Sequence, residues 1–309
     1  MNRLFRDAAG PSLALGGSVV CIGAFDGMHL GHRGVLARVR ERASAAALTS
    51  IAVSFEPLPR EFFAHARKVP RLSSSREKVG QFIEAEIDRV LLLRFNAALA
   101  AMPAQEFVER VLVARLNVKE VWVGEGFRFG HARGGDLALL AQMGREHGFS
   151  AHALEPVVLE GERISSSTIR EALAGGSFEL AARWLGRPFT IGGHVVRGQQ
   201  LGRKLGYPTA NLRLGLRTSP VDGIFAVRVH GVGAKPMPGV ASLGVRPTVN
   251  GKEPLLEAHL FDFDGDLYGK RIEVEFVNKL RDEEKFADLD AMVKQIDRDA
   301  MQARAMLQS

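Results

Sequence analysis

Two histidines, His29 and His32, lie three positions apart in the run Gly23-Ala24-Phe25-Asp26-Gly27-Met28-His29-Leu30-Gly31-His32. Strand-like residues 19–23 lead into this run, and a helical pattern over 32–47 follows it. In an α/β sheet that is the carboxyl end of a strand, where ligands bind. Glycines such as Gly23 and Gly31 let the backbone approach a phosphate closely. A helix N-terminus adds free N–H groups and a positive dipole end. At this spacing both imidazoles can face one ligand in the first turn, where their N–H groups can hold phosphate oxygens as charge builds. Such a pair on its own is more often structural, and a metal is the other alternative, although no third ligand is close in sequence. Placement after a strand and amid glycines favours a nucleotide site.

Further segments could also act on phosphates or ring systems. Gly198, Gly202 and Gly206 space a basic loop that contains Arg203 and Lys204 and leads into Pro208-Thr209-Ala210-Asn211. Such a loop can fold over phosphates, or be a plain surface hairpin. On an extended strand Thr209 and Asn211 face the same side. A hydroxyl and an amide carbonyl are suitable hard oxygen ligands for Mg²⁺, which takes its remaining ligands from water and substrate phosphate. In Phe55-Glu56-Pro57-Leu58-Pro59-Arg60-Glu61-Phe62-Phe63, two prolines stiffen a loop that presents Arg60 and two rings. Those rings could stack on a flat heterocycle or pack in the core. Ile164-Ser165-Ser166-Ser167-Thr168-Ile169-Arg170 has the composition of a helix start. Glu257 alone reads as an outward-facing strand carboxylate. No Walker loop is present, since Gly265-x-x-x-Gly269-Lys270 has the wrong spacing. Ser75-x-x-Lys78 matches a β-lactamase-type string without its companion motifs and is set aside.

Taken together, these segments resemble the bacterial bifunctional riboflavin kinase/FAD synthetase family, in family order from about Val19 to Arg304. His29-x-Gly-His32 is similar to the H-x-G-H signature of adenylyl-transferring enzymes, and the longer run resembles the family's G-x-F-D-G-x-H-x-G-H element. The resemblance implies ATP contacts at Gly23, Phe25, Asp26 and Gly31, with His29 and His32 in the chemistry. It makes Ser166, Ser167 and Arg170 a phosphate clamp. It places flavin contacts at Pro57, Arg60 and Phe62, and at Phe127 and Phe129 in Val123-Gly124-Glu125-Gly126-Phe127-Arg128-Phe129-Gly130. Gly126 stands there where the family has Asp or Asn, and Ala24 where it often has Asn. Gly198 to Asn211 resembles the riboflavin-kinase signature, with Gly198, Gly202, Lys204 and Gly206 toward ATP and Thr209 and Asn211 toward the metal. Leu256-Glu257-Ala258-His259 matches the segment carrying the catalytic carboxylate, and Leu280-Arg281 a flavin-side segment. Implied substrates are riboflavin, FMN and ATP, with Mg²⁺ as cofactor.

The elements that must position these residues fall into two patterns. Residues 19–23, 50–55, 90–93 and 121–124 read as strands, and 32–47, 75–87, 104–117 and 136–147 as helices. That alternation predicts a parallel sheet with helices on both faces. Beyond 185–188, strand-like runs at 189–196, 224–229, 256–263 and 272–276 precede a single helix at 289–306. The expected fold is α/β plus β: a Rossmann-like domain over 1–187, then a small antiparallel β-barrel with a terminal helix over 188–309, which the resemblance makes a nucleotidyltransferase domain and a riboflavin kinase domain. At 309 residues the chain is long for one core.

Its formal charge of +6 divides into +4 and +2 between these parts, with no basic block. That spread speaks against a nucleic-acid surface but suits small polyanions. No apolar run approaches a membrane span, and residues 1–9 do not read as a secretory signal. Cys21 is the single cysteine, which fits a reducing cytoplasm. Two other readings stay open from sequence: a riboflavin kinase with weakened or lost FAD synthetase activity, and a non-catalytic binder of flavin or nucleic acid.

Overall fold

Ser18–Ile22, buried at every position, forms the central strand β2 of a parallel sheet. Burial on both faces is what an uninterrupted apolar run signals. Val19 and Cys21 pack on one face with Leu36, Val39 and Phe82, while Val20 and Ile22 pack on the other with Val111, Leu112 and Leu140. The structure is a computed structural model and describes residues 3–64, 69–198, 202, 206–214, 218–248 and 251–308. The chain divides into two compact units, residues 1–69 with 73–166, and residues 70–72 with 167–309.

In the first unit β1 (Leu4–Phe5), β2, β3 (Thr49–Glu56), β4 (Arg89–Arg94), β5 (Val118–Gly124) and β6 (Ser150–Leu154) form one sheet in the order β1-β4-β3-β2-β5-β6. Every neighbouring pair is parallel. The order in which the chain lays down strands reverses at β2, and in such sheets ligands bind beyond the carboxyl ends of the strands at that switch point, here those of β2 and β5. Helix α1 (Leu30–Ala45) follows β2, while short α2 (Pro59–Phe63) and α3 (Ser75–Glu84) follow β3. The helix expected over 104–117 is α-helical only over α5 (Ala104–Phe107), after a short α4 (Ala97–Ala101). From Val108 to Arg115 it widens into a π-helix, whose end is marked by the Leu116 N–H donating to Val111 O at 3.0 Å. The wider turn buries Arg115, whose Nε donates to Asp7 O at 3.2 Å. A search for 3.6-residue periodicity does not distinguish that change of pitch. Helix α6 (Leu137–His147) ends at Gly148 as its glycine suggests, and a hairpin of β7 (Val158–Leu159) and β8 (Glu162–Arg163) comes before α7 (Ser166–Ala174).

The second unit holds a closed antiparallel barrel. Its strands are β9 (Thr190–Val196), β10 (Ala210–Arg213), β11 (Gly223–His230), β12 (Met237–Thr248), β13 (Gly251–Leu260) and β14 (Arg271–Arg281), in the order β10-β13-β12-β11-β14-β9. The runs read as strands in the sequence correspond to β9, β11, β13 and β14. β12 escaped because Pro238, Gly239, Gly244 and Pro247 interrupt it, residues that ordinarily argue against a strand. Leu212, Phe225, Val227, Leu256, Val274 and Phe276 are among the barrel's buried residues. Phe178 of α8 (Phe178–Leu185) meets Phe225 edge-on at 5.8 Å.

The C-terminal helix (Leu289–Leu307) lays Ala300 and Ala303 on Ala226, Val240 and Phe261. Its Asp299, 4% exposed, grips Arg281 through Nε at 3.0 Å and Nη2 at 2.8 Å and also accepts from Gln295 at 2.9 Å. No helix among the described residues is long and apolar enough to cross a membrane. Removing Asp299 takes from Arg281 its buried partner and leaves it only the half-exposed Glu284 and a backbone carbonyl. Asp299→Ala is therefore expected to lower unfolding free energy by about 3 kcal/mol. Asp282→Ala, which loses only an exposed contact with Lys279, should leave the midpoint where it is. Denaturant unfolding of both variants checks the contrast.

Candidate functional sites

The first site starts where β2 ends. Gly23 N–H still donates to Val53 O at 3.1 Å, and then the chain turns with positive φ at Phe25 (50°), Gly27 (85°) and Met28 (45°). Positive φ at two non-glycine residues is a strained arrangement that its surroundings must hold. The buried Phe25 ring lies 5.1 Å from Phe82, edge-on, and 5.1 Å from His32. Asp26 is buried and accepts from Ser73 N–H at 3.2 Å, while Gly27 N–H donates to Ser73 Oγ at 3.0 Å. Ser166 Oγ closes the turn by donating to Asp26 O at 2.9 Å. Asp26 thus works inside the loop as a strut.

His29 caps α1, its Nδ1 accepting from the His32 N–H at 3.3 Å. An accepting Nδ1 puts the proton of a neutral imidazole on Nε2. The two rings stack 3.7 Å apart at 20°. Gly31 permits this, because a Cβ there would stand 3.1 Å from the His29 ring. His32 Nδ1 is enclosed without a hydrogen-bond partner. Burial first, then His29, then the Lys78 ammonium hold the His32 imidazole well below the usual histidine range, so it is neutral at pH 7. By contrast, burial pushes the Cys21 thiol up, which makes it an inert core residue.

The carboxyl ends of the neighbouring strands carry the other expected residues of this unit. After β3 come Pro57, which is exposed, and α2 with exposed Arg60. Phe62 is half-buried, 5.4 Å from Phe95 and 5.2 Å from the exposed Phe63, so these rings gather at the loop and not in the core. After β5, Phe127 and Phe129 stack at 5.6 Å, with Phe129 backed by Phe107. Gly126 sits there at φ 70° with open space around it. Ser167 and Arg170 lie on α7 and belong to the second unit, where the buried Arg170 donates from Nε to Pro70 O at 2.6 Å.

The second site is set by barrel register. Asn211 on β10 pairs with Glu257 on β13, and Glu257 pairs with Ser242 on β12. Directly opposed residues share a face. Since Leu256 and Ala258 are fully buried, half-buried Glu257 and its two partners occupy the opposite face of the strands. Asn211 Nδ2 donates to Thr209 O at 3.1 Å and Thr209 Oγ1 at 3.4 Å, so both residues point the same way, as the spacing predicts. Asn211 Oδ1 is buried with no hydrogen-bond partner. Gly198 leaves the room beside it, because a Cβ there would lie 2.6 Å from that oxygen. A cleft of about 470 Å³ opens at this point, lined by Gly198, Thr209, Asn211, Asp264, Asp266 and Tyr268 among others.

Around this cleft, Gly202 O accepts from Tyr207 N–H at 2.8 Å, and Gly206 takes φ 88°. Lys204 lies outside the described residues. Arg281 is engaged by Asp299, with Glu284 3.3 Å away, and the hydrogen bond to Asp299 raises its pKa above the usual arginine value. The sequence reading passed over Tyr268 and the acidic turn Asp264–Asp266 as site residues. The string Leu267-Tyr268-Gly269, which follows the Glu257 segment, is the signal that could have found them. Ser73 carried none, because it reaches the first site from far along the chain.

Two family models match the chain: FAD synthetase over residues 13–168 and riboflavin kinase over residues 185–307. Curated relatives described as bifunctional riboflavin kinase/FMN adenylyltransferase align over nearly its whole length. That of Escherichia coli strain K12 is 46% identical over 288 residues, 93% of this chain and 92% of the relative. That of Pseudomonas fluorescens is 47% identical over 291 residues, 94% of this chain and 93% of the relative. The Haemophilus influenzae relative is 39% identical over 99% of this chain and 100% of its own. Among solved structures, one described as a macrolide-efflux protein from Streptococcus pneumoniae has a TM-score of 0.77 at 28% identity, covering 96% of this chain and 97% of that one.

The charge state of His32 ties the first site to stability. An unfolded histidine titrates near 6.5, and His32 in the fold only well below that. Between those values the unfolded chain binds more protons, so stability from neutral His32 is full above about pH 6.5 and is lost as pH falls below it. Replacing His32 with Gln should flatten that acid loss. Thermal unfolding of both proteins between about pH 7.5 and pH 5 checks it, and equal pH slopes would contradict the assignment.

Proposed function

The chain belongs to the bifunctional riboflavin kinase/FMN adenylyltransferase family, and from that membership we propose how its residues divide the work. It is an enzyme of flavin-cofactor synthesis. It phosphorylates riboflavin with ATP to give FMN, then adenylylates FMN with ATP to give FAD and pyrophosphate. Adenylyl transfer is assigned to residues 1–187 and the kinase to residues 188–309.

In the kinase, Glu257 accepts the proton of the ribityl 5′-hydroxyl. A carboxylate is a weak base for an alcohol, and it suffices because the proton can leave late, as charge builds on the attacking oxygen. The observation that carries this reading is the Asn211–Glu257 register pair beside an unpartnered, buried Asn211 Oδ1. That oxygen and Thr209 Oγ1 form a neutral, hard donor set that fits Mg²⁺, which draws its other ligands from phosphate and water. Bound there, Mg²⁺ would neutralise charge on the phosphate oxygens of ATP. Gly198, Gly202, Lys204 and Gly206 belong to the loop over those phosphates.

At the adenylyl site, His29 Nε2–H and the neutral His32 donate to phosphate oxygens as charge builds on them. Ser166, and by resemblance Ser167 and Arg170, add phosphate contacts. Pro57, Arg60, Phe62, Phe127 and Phe129 receive the flavin, with Arg281 on the flavin side of the kinase. The partners are small molecules, riboflavin, FMN and ATP, with neither nucleic acid nor membrane. The spread of the +6 charge supports this, and the lone, buried cysteine supports a cytoplasmic setting.

Variants separate the two activities. Glu257→Gln should cut riboflavin phosphorylation by about 10²–10⁴-fold and leave adenylylation of supplied FMN unchanged. His29→Ala should slow FAD formation by about 10²–10³-fold and spare FMN formation. A near-normal kinase rate in folded Glu257→Gln would remove it from the base role. Equal loss of both activities in folded His29→Ala would contradict separate sites.

A further inference from the structure

Lys78 is 1% exposed, on α3 beneath the first site. Its ammonium donates to Phe55 O at 3.1 Å and to Ser54 Oγ at 3.3 Å, with the Glu56 carboxylate 4.0 Å away. Ser54 Oγ donates in turn to Ala24 O at 3.2 Å. One buried cation therefore reaches the end of β3, where the Pro57–Phe63 segment begins, and, through one hydroxyl, the turn that leads to His29. Helix α3 is itself held at its start. Ser74 and Glu77 form a reciprocal capping box, with bonds of 3.1 and 2.6 Å, and the preceding Ser73 holds Asp26 and Gly27.

Stability alone does not account for this lysine. Burying an ammonium is costly, and an apolar side chain of similar volume often serves the fold as well or better. What the ammonium supplies is geometry, because it holds a backbone carbonyl, a hydroxyl and a carboxylate at fixed distances from one another. We propose that Lys78 is a positioning residue for FMN adenylylation: it fixes where the flavin-side loop leaves β3 and holds that loop in place against the nucleotide-side turn at Ala24. The inference rests on the reading of the His29–His32 site given above.

Lys78→Met keeps the length and apolar bulk and removes the charge and its bonds. Its KM for FMN in adenylylation should rise about tenfold or more, with KM for ATP within about threefold, since what is lost is a charged hydrogen-bond set on the flavin side. Riboflavin phosphorylation by the same protein should be unchanged. A partly unfolded sample lowers apparent kcat but does not move KM, so the rise reports loop position. A folded Lys78→Met protein with the parent's KM for FMN overturns the proposal. If that variant does not fold, Ser54→Ala decides: loss of the relay hydroxyl should raise KM for FMN by about threefold, and an unchanged value overturns the proposal equally. His29→Ala assayed alongside separates the two levels. If it forms FAD normally, the reading of the site fails. If it is impaired while the Lys78 and Ser54 variants bind FMN normally, the positioning role alone fails.

Discussion

Asn211 faces Glu257 because the barrel's buried residues leave no other register. Leu212 opposes Leu256, and Ala210 opposes Ala258, all of them buried. A slip of one residue would turn Glu257 into that apolar interior and bring Leu256 out beside Thr209 and Asn211. The cost of burying an unpaired carboxylate excludes that arrangement. Hydrophobic patterning thus places Glu257 and Asn211 beside each other, and barrel closure removes the sheet edges at which a strand could drift. The same constraint works in the parallel sheet. Buried residues on both faces of β2 lock it between β3 and β5, which brings three site-forming loops to a single edge.

Within those frames, each site depends on polar groups whose partners are built into the fold. The turn from Gly23 to His29 has unfavourable φ at Phe25 and Met28, and bonds from Ser73 and Ser166 together with the packed Phe25 ring oppose its relaxation. The histidine stack adds to this. Nδ1 of His29 is committed to the cap, and burial keeps His32 neutral. At the barrel the Asn211 oxygen is the counterpart, a buried and unpartnered acceptor that is already desolvated. Both are cases of preorganisation, in which the fold bears the ordering cost in advance of the reaction.

Much of this was legible in the residues. Alternating apolar runs and helical patterns foretold the parallel sheet, and the glycine-rich run from Gly23 to Gly31 does lie between a strand end and a helix start. The Thr209 and Asn211 spacing predicted a shared face, which the side chains adopt. Other features left no local trace. The π-helix over Val108–Arg115 keeps an apolar pattern close to that of an α-helix, and β12 carries prolines and glycines that disguise it. The bond that holds buried Asp26 to Ser73 left no trace either, because tertiary structure alone brings Ser73 there. Lys78 looked like a chance match, since its meaning comes from carbonyls and hydroxyls that only the fold brings near.

The central claim is that one chain carries out both steps of the synthesis, at two chemically distinct sites. Incubating the protein with riboflavin, ATP and Mg²⁺ and separating the products over time tests this most directly. The account predicts FMN first, with one ADP released per FMN, then FAD, with one pyrophosphate released per FAD. Failure of both flavin products to form would contradict it, as would FMN that accumulates without FAD while fresh ATP is supplied.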